Sequence, residues 1–137
     1  MRKILPTIFL AFSLAGDVSA APIKRDRIEV VDGDTVRSDG ELVRLVGFDA
    51  PETTLGQYRC DAERERGERA ARRLEDILDS GVIDIRYRKH RDRYDRLLAL
   101  LKVNGQNVRK ILIGEQLAVR YRGSGPKMDW CPRYRGR

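Results

Sequence analysis

Alternating and β-branched apolar residues predict three short strands soon after residue 20. The three runs cover residues 28–31, 35–37 and 42–46. An Asp-Gly step at residues 39–40 separates the second run from the third, and this pair is typical of a tight hairpin turn. The third run ends before Pro51, which lacks a backbone donor. The pattern therefore predicts a β-hairpin near the start of the fold.

A single apolar stripe at helical spacing follows these strands, and charged residues of both signs cover the rest of that segment. The stripe consists of Ala70, Leu74, Ile77 and Leu78. Asp61 is the predicted N-cap. Gly81 is predicted to end the helix in left-handed geometry.

The second half of the chain predicts two more strands and a second helix. Residues 82–87 alternate as a half-buried strand does, and residues 88–96 form a polar connection. The apolar run at 97–103 suits a central strand or a buried helix turn, and the Asn-Gly pair after it favours the strand. Asn107 is the predicted cap of a helix. Its inward residues are Val108, Ile111, Leu112 and Leu117.

This order of elements predicts an α+β fold with a five-stranded barrel of the OB-fold type and two helices. Such a fold presents a grooved face to oligonucleotides. A chain of 137 residues leaves room for one domain, which we assign to residues 21–137.

Residues 1–20 have the pattern of a cleaved signal peptide. Arg2 and Lys3 precede an apolar run at 4–15, and Val-Ser-Ala at 18–20 suits signal peptidase. A membrane anchor or a buried helix is the alternative, and an uncleaved leader would make the chain a membrane-tethered basic adaptor. We expect export to the periplasm or the extracellular space.

Two cysteines, Cys60 and Cys131, lie too far apart for a CxxC motif. With a single His in the chain they make a poor zinc site. In an oxidising compartment such a pair in a small domain predicts a disulfide, which would pin the C-terminal tail to the body. Two unpaired buried thiols are the alternative.

Charge points to a polyanionic partner. Lys and Arg number 28 against 21 Asp and Glu, which gives a formal net charge of +7. Summed positive charge attracts phosphate backbones from a distance. The composition excludes an acidic disordered tail, a collagen-like repeat and a multi-span membrane protein.

Three carboxylates and two arginines provide candidate chemistry at one mouth of the predicted barrel. Asp34, Asp49 and Glu52 would repel one another without a hard cation, and oxygen ligands favour Ca²⁺ or Mg²⁺ over zinc. Arg44 and Arg96 offer guanidinium forks that match phosphate oxygens. Together these groups describe a phosphodiester-cleaving site.

Four sequence blocks in order make the chain similar to the staphylococcal-nuclease-like (thermonuclease) family. The blocks are residues 31–36, 43–53, 91–96 and 111–118. The resemblance implies one Ca²⁺ ion held by Asp34, Asp49 and the carbonyl of Ala50, with Asp32 as a further acid nearby. The family usually has Thr at the position of Ala50, a change that a carbonyl ligand survives.

The resemblance also implies the roles of the substrate groups. Arg44 and Arg96 match the phosphate-binding arginines, and Glu52 matches the residue that activates or orients the attacking water. Tyr94 matches a tyrosine near a substrate phosphate. An ion pair between Arg44 and Glu41 on the barrel surface is the alternative for that arginine.

The segment around Arg96 departs from the family. Asp95 stands where the family commonly has glycine, and it could pair with Arg96 or alter the turn. Arg91 and Arg93 compete with Arg96 for its role. His90 is a candidate general base, although a single His in a basic loop usually has no catalytic role.

We therefore expect an exported, calcium-dependent nuclease that hydrolyses phosphodiester bonds of DNA, with RNA as a second candidate substrate. Backbone contacts carry no sequence code, so little base specificity is expected. No stable protein partner is implied, and a monomer is expected. The alternative is a non-catalytic nucleic-acid-binding OB module.

Overall fold

The computed structural model describes residues 22–132, and the predicted signal peptide at 1–20 lies outside them. This part of the chain contains eight strands: β1 Ile28–Asp32, β2 Thr35–Ser38, β3 Glu41–Leu45, β4 Phe48–Asp49, β5 Ile83–Arg91, β6 Leu97–Val103, β7 Gln106–Asn107 and β8 Val119–Arg120. The helices are α1 Asp61–Asp79 and α2 Val108–Gly114, and a 3₁₀ turn covers Arg25–Arg27. The predicted α+β class is confirmed.

The main sheet is mixed and has the strand order β1-β2-β3-β6-β5. Neighbours pair antiparallel except β3 and β6, which run parallel. β7 pairs antiparallel with the end of β6, and β4 pairs with β8 in a separate ribbon that the sequence did not predict.

The predicted barrel is not closed, because no ladder joins β1 to β5 among residues 22–132, although the arrangement is consistent with an OB-like α+β fold. A single bridge, Ile23 with Ile83, links the N-terminal segment to β5. α1 packs against β1 at this end of the sheet. Side chains of the helix, rather than a backbone ladder, therefore cover the core there.

Both ends of α1 differ from the prediction. Cys60 is the N-cap and Asp61 is the first helical residue. Ser80 caps the C-terminus in right-handed geometry, and its hydroxyl donates to the Ile77 carbonyl at 2.6 Å. Gly81 does not adopt positive φ. It is needed for a different reason, because a Cβ there would lie 2.0 Å from Asn104 Oδ1.

The apolar stripes of both helices face the core. The four predicted residues of α1 are buried. In α2, Val108 and Leu112 are buried, and Asn107 accepts a hydrogen bond from the Arg109 amide at 3.0 Å, which confirms the predicted cap. The polar connection is shorter than predicted, because β5 continues to Arg91.

The predicted disulfide is formed between Cys60 and Cys131, whose Cα atoms lie 6.0 Å apart. It ties the C-terminal tail to the N-terminus of α1. Closing a loop of this length stabilises a fold by about 4 kcal/mol in the chain-entropy model. Neither helix within residues 22–132 has the length and apolarity that a membrane crossing requires.

Candidate active site

Arg44 on β3 joins two acidic side chains from neighbouring strand ends. Its Nη1 lies 2.7 Å from Asp34 Oδ1, and its Nη2 lies 3.4 Å from Asp49 Oδ1. Asp34 follows β1 through a turn, and Asp49 ends β4. All three residues are buried. The structure therefore brings together two of the three predicted carboxylates and the first of the two predicted arginines.

Main-chain carbonyls fix the Arg44 guanidinium further. Nη1 donates to the carbonyls of Asp34 at 3.2 Å and Leu45 at 3.1 Å, and Nη2 donates to that of Phe48 at 3.0 Å. The alternative pairing with Glu41 is wrong, because Glu41 instead accepts from Arg91 at 3.1 Å. Arg44 is thus a buried cation that holds the two carboxylates and three main-chain carbonyls around it in place.

Asp34 is held on both oxygens. Oδ2 accepts from the Ala50 amide at 2.8 Å, and Oδ1 accepts from the Thr35 hydroxyl at 3.1 Å. Asp32 Oδ1 accepts from the Asp34 amide at 3.0 Å. Burial raises the pKa of Asp34 to about 7, with Arg44 opposing the shift and Asp32 adding to it. Burial also raises the pKa of Asp49.

Lys127 from the C-terminal tail reaches the same acidic groups. Its Nζ lies 2.9 Å from Asp49 Oδ1 and 2.8 Å from Glu52 Oε1. Partial burial opposes the charged form, but the contacts with Glu52 and Asp49 outweigh it and raise the pKa of Lys127. Lys127 was not predicted from the sequence, because it lies in a tail with no periodic pattern.

The second predicted arginine, Arg96, is oriented by Asp92, a residue that was not predicted from the sequence. Asp92 Oδ2 lies 2.8 Å from both Nε and Nη2 of Arg96, and Oδ1 accepts from the amides of Tyr94 and Arg96. These hydrogen bonds outweigh desolvation and lower the pKa of Asp92. Arg96 Cζ lies 5.4 Å from the centre of the Tyr94 ring.

Asp95 occupies the left-handed region with φ of 61°. Glycine adopts this geometry without cost, and Asp is among the side chains that tolerate it. Its carboxylate lies 3.7 Å from Arg91 Nε, whereas Arg96 pairs with Asp92. Of the two expected effects of Asp95, pairing with Arg96 is therefore wrong.

One cleft connects the two arginine sites. Its walls include Asp34, Arg44, Glu52, Tyr94 and Arg96. Many further basic side chains line it, namely Arg37, Arg88, Arg93, Arg109, Lys110, Arg120, Arg122 and Lys127. We call this the basic cleft. Asp49 and Ala50 are buried beside it.

His90 also lines the basic cleft, where it is exposed on β5. Within residues 22–132 it makes no side-chain hydrogen bond or ion pair with the acidic residues. The structure thus gives His90 no partner that would activate it as a base.

Glycines let α1 approach the backbone that carries the acidic residues. A Cβ on Gly67 would lie 2.6 Å from the Pro51 carbonyl oxygen and 2.9 Å from that of Glu52. A Cβ on Gly33 would lie 2.7 Å from the Cβ of Ala50. The position of Glu52 therefore depends on close packing against the helix.

The donor chemistry fits a hard divalent cation. Asp34 and Asp49 present carboxylates in a buried region where negative charge is costly, as their raised pKa values indicate. Oxygen donors of this kind suit Ca²⁺ or Mg²⁺. No cluster of three or more His, Cys, Asp or Glu side chains suited to a metal occurs within residues 22–132. A backbone carbonyl, such as that of Ala50, would have to complete the donor set.

Known proteins similar in sequence to this chain include nucleases. The model of the family described as "Staphylococcal nuclease homologue" matches residues 42–134, and the chain belongs to this family. It is 34% identical over 94 residues to the SPbeta prophage-derived endonuclease YokF and 33% identical over 94 residues to endonuclease YncB, both of Bacillus subtilis strain 168. Each match covers 64% of this chain. The chain spans 31% of the length of YokF and 43% of that of YncB.

The raised pKa values predict how stability depends on pH. An acid whose folded pKa exceeds its unfolded value stabilises the fold at low pH, and that contribution is lost as pH rises through the folded pKa. In EDTA, we expect a higher Tm at about pH 5.5 than at about pH 8, measured by thermal unfolding. Asp34→Asn should remove most of the difference. Equal Tm values for the unmodified protein at both pH values would contradict this prediction.

Proposed function

We propose that the chain is an exported, calcium-dependent nuclease that hydrolyses phosphodiester bonds of DNA, and also of RNA, with little sequence specificity. The observation that carries this proposal is the pairing of Asp34 and Asp49 with Arg44, with Glu52 in the wall of the same basic cleft. Positive side chains along the cleft suit a phosphate backbone of either nucleic acid. The names of the two endonuclease relatives support the same reaction class.

Some of the site residues bind the metal and the substrate, and others act in hydrolysis. Asp34, Asp49 and the Ala50 carbonyl would hold Ca²⁺, which when bound supplies positive charge to the phosphate. Arg96, whose side chain is 25% exposed and is oriented by Asp92, presents its guanidinium to phosphate oxygens. Tyr94 is exposed beside it and contacts the substrate.

Glu52 is the group that activates or orients the attacking water. Its side chain is 26% exposed, whereas that of Asp49 is 2% exposed, so a water in the cleft can reach Glu52 directly. Arg44 holds the acidic groups in place and adds positive charge near the scissile phosphate. Preorganised charge of this kind lowers the barrier because no reorganisation is needed during the reaction.

A nuclease assay tests the proposal. The purified protein should degrade single-stranded DNA in Ca²⁺, should lose activity when EDTA is added, and should regain it when Ca²⁺ is restored. Parallel reactions with Mg²⁺ and with RNA define the metal and the substrate. Binding of DNA without turnover in saturating Ca²⁺ would contradict the proposal and favour the non-catalytic module.

Export and oligomeric state have their own tests. The disulfide in the structure suits an oxidising compartment. If residues 1–20 are a signal peptide, the mass of the protein recovered outside the cytoplasm should correspond to a chain that begins near residue 21. Light scattering should give the mass of a monomer.

A further inference from the structure

Lys127 brings a positive charge to the acidic groups, although it lies outside the sequence motifs that contain Asp49 and Glu52. Its Nζ bridges Asp49 Oδ1 and Glu52 Oε1 at 2.9 and 2.8 Å. The Asp49 carboxylate is almost fully buried, and the Lys127 side chain is 47% exposed. The ammonium therefore enters the acidic cluster from the cleft side, which is also the side open to solvent ions.

The tail beyond Lys127 is fixed to the body of the protein. Cys131 is bonded to Cys60, and the side chain of Trp130 is buried. Arg59 Nη2 donates to the Met128 carbonyl at 3.1 Å and lies 3.2 Å from Asp129 Oδ1. These contacts hold the Lys127 backbone beside the cluster, so the ammonium is present at a high effective concentration.

We propose that Lys127 competes with the divalent cation for Asp49 and thereby sets the Ca²⁺ concentration that the site requires. This inference rests on the proposed function, in which Asp49 is a calcium ligand. Asp49 Oδ1 already lies near two cations, Lys127 Nζ at 2.9 Å and Arg44 Nη2 at 3.4 Å. A divalent cation on the same carboxylate would add strong repulsion at short range.

The competing interpretation is that Lys127 assists the metal by orienting Glu52. The two interpretations predict opposite changes in metal affinity. If Lys127 only orients carboxylates, its loss leaves Ca²⁺ binding weaker or unchanged. If it competes, its loss makes Ca²⁺ bind more tightly. The bond to Asp49 favours competition, because that carboxylate needs no orientation beyond the one its burial already imposes.

Isothermal titration of Ca²⁺ into the protein without nucleic acid tests the inference. Lys127→Gln should bind Ca²⁺ about tenfold more tightly than the unmodified protein. Lys127→Arg, which keeps the charge, should stay close to the unmodified protein. Lys127→Met provides a second neutral variant, and thermal unfolding in EDTA verifies that each variant is folded.

Arg122→Gln is the matched control, since it removes one positive charge from the same cleft without touching the carboxylates. An affinity gain for Lys127→Gln no larger than that of Arg122→Gln, or a loss of affinity, would overturn the inference. In that case Ca²⁺ binding by the unmodified protein would leave the proposed function intact. If neither the unmodified protein nor the Lys127 variants bind Ca²⁺, the calcium site itself is wrong.

Discussion

Glu52→Gln should lower the rate of DNA hydrolysis by about 10²–10⁴ while leaving the fold intact. The amide has nearly the same shape as the carboxylate and still offers an oxygen to Lys127 Nζ, which lies 2.8 Å from Oε1. What the variant loses is the negative charge that accepts a proton from water or orients it. Single-turnover hydrolysis of a labelled single-stranded DNA in saturating Ca²⁺ measures the effect directly.

Glu41→Gln is the control for Glu52→Gln. Glu41 is an exposed carboxylate on β3 that pairs with Arg91 at 3.1 Å, and it lies outside the lining of the basic cleft. It should keep almost full activity. If Glu52→Gln were as active as Glu41→Gln, the reaction would not use the Glu52 carboxylate, and the proposed mechanism would be wrong.

Arg44→Leu should lower the free energy of unfolding by about 3–5 kcal/mol, because it leaves the buried Asp34 carboxylate without its cation and leaves Asp49 with Lys127 alone. Three main-chain carbonyls lose a donor at the same time. Urea denaturation in EDTA measures the loss. Arg44→Lys keeps the charge without the fork, and its DNA hydrolysis should be about 10²-fold slower even where it folds.

Arg37→Leu on the adjacent strand β2 is the control for stability. The Arg37 side chain is 43% exposed, and its Nε lies 3.5 Å from Glu29. Exposed pairs of this kind contribute little, so the change should stay within about 1 kcal/mol. If Arg44→Leu were no more destabilising than Arg37→Leu, the buried cluster would add no net stability to the fold.

Local sequence patterns were sufficient to predict most of the strands and both helices. Turn residues and apolar spacing located β1, β2, β3 and β6 to within a residue or two, and they located both helices. Asp34 lies in the turn between β1 and β2, and Asp49 ends β4 just after β3, so both stand at strand ends that turn chemistry predicts. The position of Arg44 near Asp34 can be predicted as well, because β3 pairs with β2 and places Arg44 opposite Thr35.

Long-range packing accounts for the features that local sequence patterns did not predict. Lys127 reaches the acidic cluster only because a disulfide and a buried Trp130 bring the tail back, and no local pattern reports such a path. The role of Gly81 depends on Asn104, which is 23 residues away in sequence. The open edge between β1 and β5 likewise depends on where α1 packs, which propensity does not encode.

The contact between Gly67 and the carbonyls of Pro51 and Glu52 links a surface helix to the chemistry of the cleft. Any side chain larger than hydrogen at position 67 would push the helix and the acidic loop apart by a few tenths of an ångström or more. Substitutions at this position during evolution are therefore coupled to substitutions in the loop. Among related chains, a bulkier residue here should occur only together with compensating changes at the segment that bears the water-handling carboxylate.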